Sequence, residues 1–441
     1  MSPGPRSRRL DTTRPRLDVY LCGRLVGHVG QEGPDTWFRY TEAAVAHAGT
    51  TDLRLSIRLP VRPDTYGHAE TLAFFDNLLL EAGTREAIAA LSQHDQRDVT
   101  GLLGEVGGEC AGAVTLWPHG TEPPASPAYR PLPDDSLAAL FDTTHGVALT
   151  RAQLESRQSL SGVQDKLVVR RTPAGWDLPL QCAPGDVILK RPSPRYPGLV
   201  ENEYACQALA AAIGIEVPPT EALRGPGLAL LASTRYDRRP DGAGGLRRLH
   251  QEDFCQATGR IPAHKYQRDR GPGFADLARV IRQECAAPAR DLQRLLHRLV
   301  LNLCLGNMDA HAKNVALLYG DDGLALAPAY DLVCTLAYPA LSPSYSMQVG
   351  GASRPSELSL AAFTRLARDL GVTLGALRQA ADEVTTRAAA AWPAVLDQAT
   401  RLTGPAPVYD DITRILAAES ARVRAAIAPP AASPAPHGTS A

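Results

Sequence analysis

The spacing of apolar positions along the chain changes period twice, and the changes divide it. Between residues 17 and 29, LDVYLCGRLVGHV alternates around Cys22 and Gly23, which predicts a β-hairpin turning at Gly23. DLRLSIRLP at 52–60 predicts a further strand. TLAFFDNLLLEAGTREAIAALS predicts a helix with a break at Gly83. These elements make a small α+β unit over 17–117. Residues 118–135 are rich in proline and read as a linker. A β-rich block follows over 136–245. There, DKLVVRRT and a Pro-Ala-Gly turn predict a hairpin, GDVILKRP predicts a short strand ending at Lys190, and GLALLASTRYDRR predicts another strand. Between them LVENEYACQALAAAIGIEVP carries one apolar helical face (Ala205, Ala208, Leu209, Ala212, Ile213) and stops at Gly214. From 246 to 428 the helical period dominates. Leu292, Leu295, Leu296, Leu299, Val300 and Leu303 share one face of a helix that ends at Gly306-Asn307. Further helices are expected at 357–371, 375–396 and 409–427. The ends, 1–16 and 429–441, read as disordered tails. The expected architecture is α+β: an added N-terminal subdomain, a β-rich lobe and a helical lobe, with a ligand cleft between the lobes.

The chemistry concentrates after the long helix, in NMDAHAKN at 307–314. The next residues, VALLYGDDGLALAPAYD, predict two short strands joined by Gly-Asp-Asp-Gly. Such a hairpin brings Asn314, before its first strand, near Asp331, after its second. An amide oxygen and a carboxylate placed so suit Mg²⁺, which takes hard oxygen ligands alongside phosphate oxygens. If the segment is extended, Asp309, His311 and Lys313 alternate onto one face. Lys313 would then hold a phosphoryl group beside Asp309, whose carboxylate could take a proton from an incoming hydroxyl. An aspartate five residues before a metal-binding asparagine, with a second metal aspartate beyond a hairpin, is the arrangement of protein kinases. The histidine and arginine that usually precede the aspartate are replaced here by Asn307 and Met308. A kinase also needs a strand lysine paired with a helix glutamate. Lys190 supplies the first, and Glu203, with Glu201 as the alternative, the second. Asp309 and His311 also fit the D-x-H of metal hydrolases, but no further His or Asp cluster nearby completes such a site.

Composition narrows the reading. The formal net charge is -1, so no global field draws the chain to nucleic acid or membrane, and no run approaches the length of a membrane span. The eight cysteines are scattered without a C-x-x-C, as expected for reduced thiols in a cytoplasmic protein. Lys and Arg total 46, yet only Lys166, Lys190, Lys265 and Lys313 are lysines. A chain this biased toward arginine keeps lysine where a compact ammonium on a flexible stem is wanted. Lys265, in polar AHKYQRDRG, is readily explained as a position that escaped the bias.

Taken in order, SLSGVQDKLVV, ILKRP, ENEYACQALAAAIGI, LHQEDFCQATG, LCLGNMDAHAKN and LAPAYDLVCTL resemble the HipA family of bacterial serine/threonine kinase toxins, and the resemblance covers roughly 17–427. It implies a two-lobed protein-kinase-like fold and an ATP- and Mg²⁺-dependent protein kinase. Asp309 would be the catalytic base, Asn314 and Asp331 the Mg²⁺ ligands, and Lys190 a holder of ATP phosphates. Ser161, Gly162, Val163, Gln164, Asp165 and Lys166 would form the loop over the phosphates. His311, Lys313 and Tyr330 would line the nucleotide site, with Thr234, Arg235 and Tyr236 beside the adenine. Ser159 matches the serine that family members autophosphorylate. The resemblance also implies a HipB-like helix-turn-helix antitoxin as partner, DNA contact only through that complex, and a protein substrate such as an aminoacyl-tRNA synthetase. Two other readings share the same residues: a kinase-fold binding protein acting mainly as co-repressor with its antitoxin on operator DNA, and a small-molecule kinase.

Overall fold

The computed structural model describes residues 15–47, 54–141, 147–160, 164–225 and 228–429. Most of the two expected tails, 1–14 and 430–441, therefore lies outside the described residues, as do loop residues Ser161, Gly162 and Val163.

The N-terminal unit is built on a four-stranded antiparallel sheet in the order Asp35–Tyr40, Arg24–Glu32, Pro15–Leu21, Val114–Pro118. Cys22 and Gly23 both take positive φ, 50° and 76°, and make the tight turn of the first hairpin. Inward-facing Leu17, Val19, Val26 and Phe38 pack against Phe74, Phe75, Leu102 and Leu103 from the covering helices. Two expectations fail here. Within 54–60 there is only an isolated bridge between Ser56 and Leu59. The backbone finds other partners: the Leu55 N–H donates to the Tyr40 hydroxyl (3.1 Å) and the Ile57 N–H to the Glu252 carboxylate (3.0 Å). The helical stretch breaks before Gly83. Helix His68–Phe75 runs into a 3-10 turn at Asp76–Leu78, and a new helix, Ala82–Ser92, contains Gly83. Leu78, Leu79 and Leu80 are all buried, and three consecutive side chains cannot share one face of a helix.

The β-rich lobe is a six-stranded sheet in the order Thr220–Gly225, Leu228–Thr234, Val187–Lys190, Lys166–Thr172, Gly175–Leu180, Ala128–Leu132. Its last strand comes from the segment expected to be linker. Pro131 sits opposite Asp177 in that strand, and an edge strand tolerates a proline because its outer side needs no ladder bonds. Helix Leu199–Ala212 is buried along most of its length and joins the core of the helical lobe.

In the helical lobe, Pro288–Leu305 packs against Leu374–Thr403 and Val408–Ile427 through Leu295, Leu299, Leu303, Trp392, Ile412 and Ile415. Gly306 ends the first of these with φ 62°, and an added Cβ there would lie 2.8 Å from Leu336. The expected hairpin forms as Ala316–Gly320 and Gly323–Leu326, and His250–Asp253 adds a third strand. The helix that includes Leu360–Leu370 starts three residues later than the expected 357, after a 3-10 turn at Pro355–Glu357.

Candidate active site

A cleft of about 590 Å³ lies between the lobes, within the size range of small-molecule sites. Strand alternation decides what enters it from above. Val187 and Leu189 are buried in the core of the β-rich lobe, so Ile188 and Lys190 face the cleft. The Lys190 ammonium donates to Glu203 Oε1 (2.6 Å) and to Asp331 Oδ1 (2.5 Å). Glu203 reaches it because Leu199, Glu203 and Gln207 lie at four-residue spacing on the cleft face of their helix. Glu201 belongs to another face and pairs with Arg224 at 2.9 Å. Of the two glutamates weighed from sequence, Glu203 is the one in contact with Lys190.

Electrostatics follow from this sandwich. Burial pushes against the charge of Lys190, but Asp331 and Glu203 raise its pKa above the usual lysine range. Burial likewise opposes ionisation of Asp331, yet Lys190 and Lys166 hold its carboxyl well below the usual range. Burial pushes the Glu203 carboxyl up against the pull of Lys190. Lys166 is the cross-strand neighbour of Lys190, and burial pushes it down to about 8. Gln164 and Asp165, just before it, also line the cleft: Gln164 Nε2 donates to the Arg191 carbonyl (2.8 Å) and Asp165 accepts from Arg191 Nε (2.8 Å).

The opposite wall is the loop after Gly306. Asp309 is exposed, and its Oδ1 accepts from the Tyr266 hydroxyl at 2.9 Å. The Asp309 carbonyl accepts from the His311 N–H (2.8 Å) and from Asn314 Nδ2 (3.1 Å), so the loop wraps around that one oxygen. Asn314 and Asp331 line the same cleft. Asp331 takes a left-handed backbone, φ 53°.

The loop is not extended, and this overturns the expected role of Lys313. Ala312–Asn314 is a 3-10 turn, which breaks the alternation. Lys313 is buried, with its ammonium donating to Asn77 O (3.1 Å), Asn77 Oδ1 (2.8 Å) and Asp253 Oδ2 (3.3 Å), and Glu81 lies 3.8 Å away. An ammonium with its donors so committed is a strut to the N-terminal unit, not a phosphoryl holder beside Asp309. His311 is buried against Tyr266, ring centroids 5.3 Å apart, and burial pushes its pKa down to about 4, so it is neutral. Tyr330 donates to the Lys313 carbonyl (2.7 Å) and stacks on Tyr236, centroids 5.8 Å apart.

Thr234, Arg235 and Tyr236 line the cleft at the end of their strand. The Arg235 guanidinium turns away from it into a buried network, reaching Glu109 Oε1 (2.8 Å), Asp237 Oδ1 (2.9 Å) and the Cys110 carbonyl (2.9 Å). Ser159 is fully buried, its hydroxyl donating to the Leu78 carbonyl (2.7 Å), on a two-residue strand parallel to Glu109–Cys110.

Sequence reasoning missed Tyr266 and the part played by Lys265, whose ammonium is 2.5 Å from Glu81 in the cleft wall. The scarcity of lysine was the available signal for Lys265. Nothing local in AHKYQRDRG marks Tyr266, which meets Asp309 only in the folded chain.

A β-rich lobe over a helical lobe, with a strand lysine bridging a helix glutamate and a post-hairpin aspartate, defines a protein-kinase-like fold. The chain matches the HipA N-terminal domain over residues 17–117 and the HipA-like C-terminal domain over residues 158–392. It is 37% identical over 406 residues to Y4mE of Sinorhizobium fredii, a protein that carries the name of a kinase, covering 90% of this chain and 94% of that one. To the serine/threonine-protein kinase toxin HipA of Shewanella oneidensis it is 26% identical over 276 residues, 59% of this chain and 63% of that one. The solved complex of Shewanella oneidensis HipA with HipB and operator DNA has the same fold, with a TM-score of 0.74, 21% identity and coverage of 93% of this chain and 96% of that one. The protein belongs to the HipA family. Among the described residues, no helix is long and apolar enough to cross a membrane.

Proposed function

We propose that the protein is an ATP- and Mg²⁺-dependent serine/threonine protein kinase, the toxin of a HipA/HipB-like pair. The observation that carries this reading is the Lys190 ammonium held between Glu203 and Asp331 in the cleft that Asp309 also lines. Glu203 fixes the position of Lys190, and Lys190 with Lys166 presents positive charge to the triphosphate. The residues fit a hard dication: Asp331 stays ionised beside Lys190, and Asn314 commits its amide NH₂ to the Asp309 carbonyl, which leaves its amide oxygen as the donor for the ion. When bound, Mg²⁺ would offset phosphate charge, with Asn314 and Asp331 as its ligands. Asp309 accepts the proton of the substrate hydroxyl as that oxygen bonds to the γ-phosphorus and the bond from that phosphorus to the β,γ-bridging oxygen breaks, the bridging oxygen leaving with ADP. The Tyr266 hydroxyl occupies Oδ1 of Asp309 and orients Oδ2 for this task. Neutral His311 backs Tyr266 without adding charge. Thr234 and Tyr236 flank the adenine position, over Tyr330. Gln164, Asp165 and Lys166, the described part of the loop assigned to the phosphates, line the cleft.

The likeness to a HipA seen with HipB and operator DNA supports a HipB-like antitoxin as partner, with DNA reached through that complex. The substrate we assign is a translation component such as an aminoacyl-tRNA synthetase. Autophosphorylation at Ser159 requires its strand to leave Glu109–Cys110, since the hydroxyl is buried in this conformation. The test is transfer from labelled ATP to proteins of a whole-cell lysate. Asp309→Asn lowers the rate by about 10²–10⁴ with the fold intact, the scale of a lost general base. Near wild-type transfer by that variant ends the assignment.

A further inference from the structure

The sheet of the N-terminal unit carries a cluster separate from the cleft. Asp18 on Pro15–Leu21 is the register partner of His28 on Arg24–Glu32 and, on its other side, of Trp117 on Val114–Pro118. His119 follows as the chain leaves the sheet, held there by its N–H on the Arg16 carbonyl (2.9 Å). Three neighbouring segments thus bring three side chains to one spot. Asp18 Oδ1 lies 2.6 Å from Nδ1 of His28 and 2.7 Å from Nδ1 of His119. One ligand atom from each residue falls within 4.8 Å of the other two, and among the described residues this is the one group of three or more His, Cys, Asp or Glu that converges so. The two rings meet edge to face, centroids 5.3 Å apart. Burial pushes the Asp18 carboxyl up, but bonds from His119, Gly120 and His28 outweigh it and hold the group below its ordinary range. The His119 side chain is 46% exposed, so the cluster is open to solvent on that side.

We propose that Asp18, His28 and His119 form a binding site for a transition-metal dication of the zinc type, independent of phosphoryl transfer. Two imidazole nitrogens and one carboxylate oxygen are the ligand set of borderline metals, whereas Mg²⁺ and Ca²⁺ take oxygens. Three protein ligands leave a fourth position for water. Tetrahedral ligands at about 2.0–2.1 Å stand roughly 3.3 Å apart, so the donor atoms must spread by some tenths of an ångström. The partly exposed His119 has room for that. The Gly120 N–H on Asp18 Oδ2 (3.0 Å) is the outer bond that orients the carboxylate. A metal here ties the exit of the N-terminal unit to its first hairpin. The same three side chains also satisfy one another by hydrogen bonds alone, and the test separates these cases.

The full chain is titrated with Zn²⁺ in excess Mg²⁺, which occupies the oxygen ligands of the cleft, and bound metal is counted by mass spectrometry. Co²⁺ is used in parallel for its visible spectrum. The expected result is one Zn²⁺ per chain and a tetrahedral Co²⁺ band. Both should weaken in His119→Ala and in His28→Ala by at least the roughly 10–100-fold that loss of an outer partner alone costs. His47→Ala, at an exposed histidine outside the cluster, should bind as the wild type does. His119→Ala is the deciding variant if His28→Ala fails to fold. Absence of stoichiometric Zn²⁺, or binding unchanged by His119→Ala, overturns the proposal in favour of a metal-free hydrogen-bonded cluster.

Discussion

Lys190 and Lys313 are both buried ammonium groups in the wall of one cleft, and they do different work. The partners of Lys190, Glu203 and Asp331, come from the two kinase lobes, and the Asp331 side chain keeps 35% of its exposure. A ligand entering the cleft can therefore take over part of that contact. Lys313 is tied to Asp253 of its own lobe and to Asn77 and Glu81 of the N-terminal unit. It belongs to a seam that also holds Glu252, which accepts from Ser56 (2.5 Å), the Ile57 N–H (3.0 Å) and Tyr319 (2.5 Å). Glu109, surrounded by Arg235, Arg238 and Arg248, belongs to the same seam. A buried charge is a candidate for catalysis when one of its partners is still open to water. When its partners keep little exposure, as Glu81 and Asp253 do at 13% each, it is a fastener.

That distinction can be broken most directly at Lys313. Lys313→Met leaves Asp253 without its cation while Glu81 keeps only Lys265, and breaking a buried pair this way costs about 3–5 kcal/mol. Urea unfolding should show the loss; a change under about 1 kcal/mol would return Lys313 to the list of ligand-facing groups. Lys190→Met should show the converse. Phosphoryl transfer falls by about 10²–10³, the scale for removing one preorganised donor. Stability falls less than in Lys313→Met, because Glu203 is already raised and takes a proton while Asp331 retains water. Equal stability losses in the two variants would erase the contrast.

The seam also has a pH signature. Burial raises Glu252 to about 7, above its unfolded value near 4.5. Between these values the folded state holds a proton that the unfolded chain has released, so stability declines as pH rises through that window. The full effect is on the order of 3 kcal/mol. Glu252→Gln should flatten this part of the curve of Tm against pH. An unchanged slope would mean that another group carries it.

How much of this was legible in the chain depended on distance along it. The Gly-Asp-Asp-Gly turn brought Asn314 and Asp331 to one cleft because a hairpin is a local object whose ends must meet. Lys190 with Glu203 was nearly as local, a strand end and the next helix. Lys313 was misjudged because its partner Asn77 lies 236 residues away and the backbone between Asp309 and Asn314 curls where alternation assumed extension. Proline content hid the strand Ala128–Leu132, since an edge position excuses what a central one forbids. Arg235 lines the cleft beside Thr234 and Tyr236, but its side chain answers to Glu109, which no reading of its neighbours in sequence reveals.

The left-handed backbone at Asp331 narrows what substitution can do there. Glycine, asparagine and aspartate enter that conformation readily, and most other residues do so only with strain. Glycine would bring no oxygen and asparagine no charge. A single codon step to alanine, valine or tyrosine would change the chemistry and the main chain together. Drift at this position therefore has almost no neutral path, and a silenced copy of the protein is better sought with asparagine or glycine at 331 than with any bulkier residue.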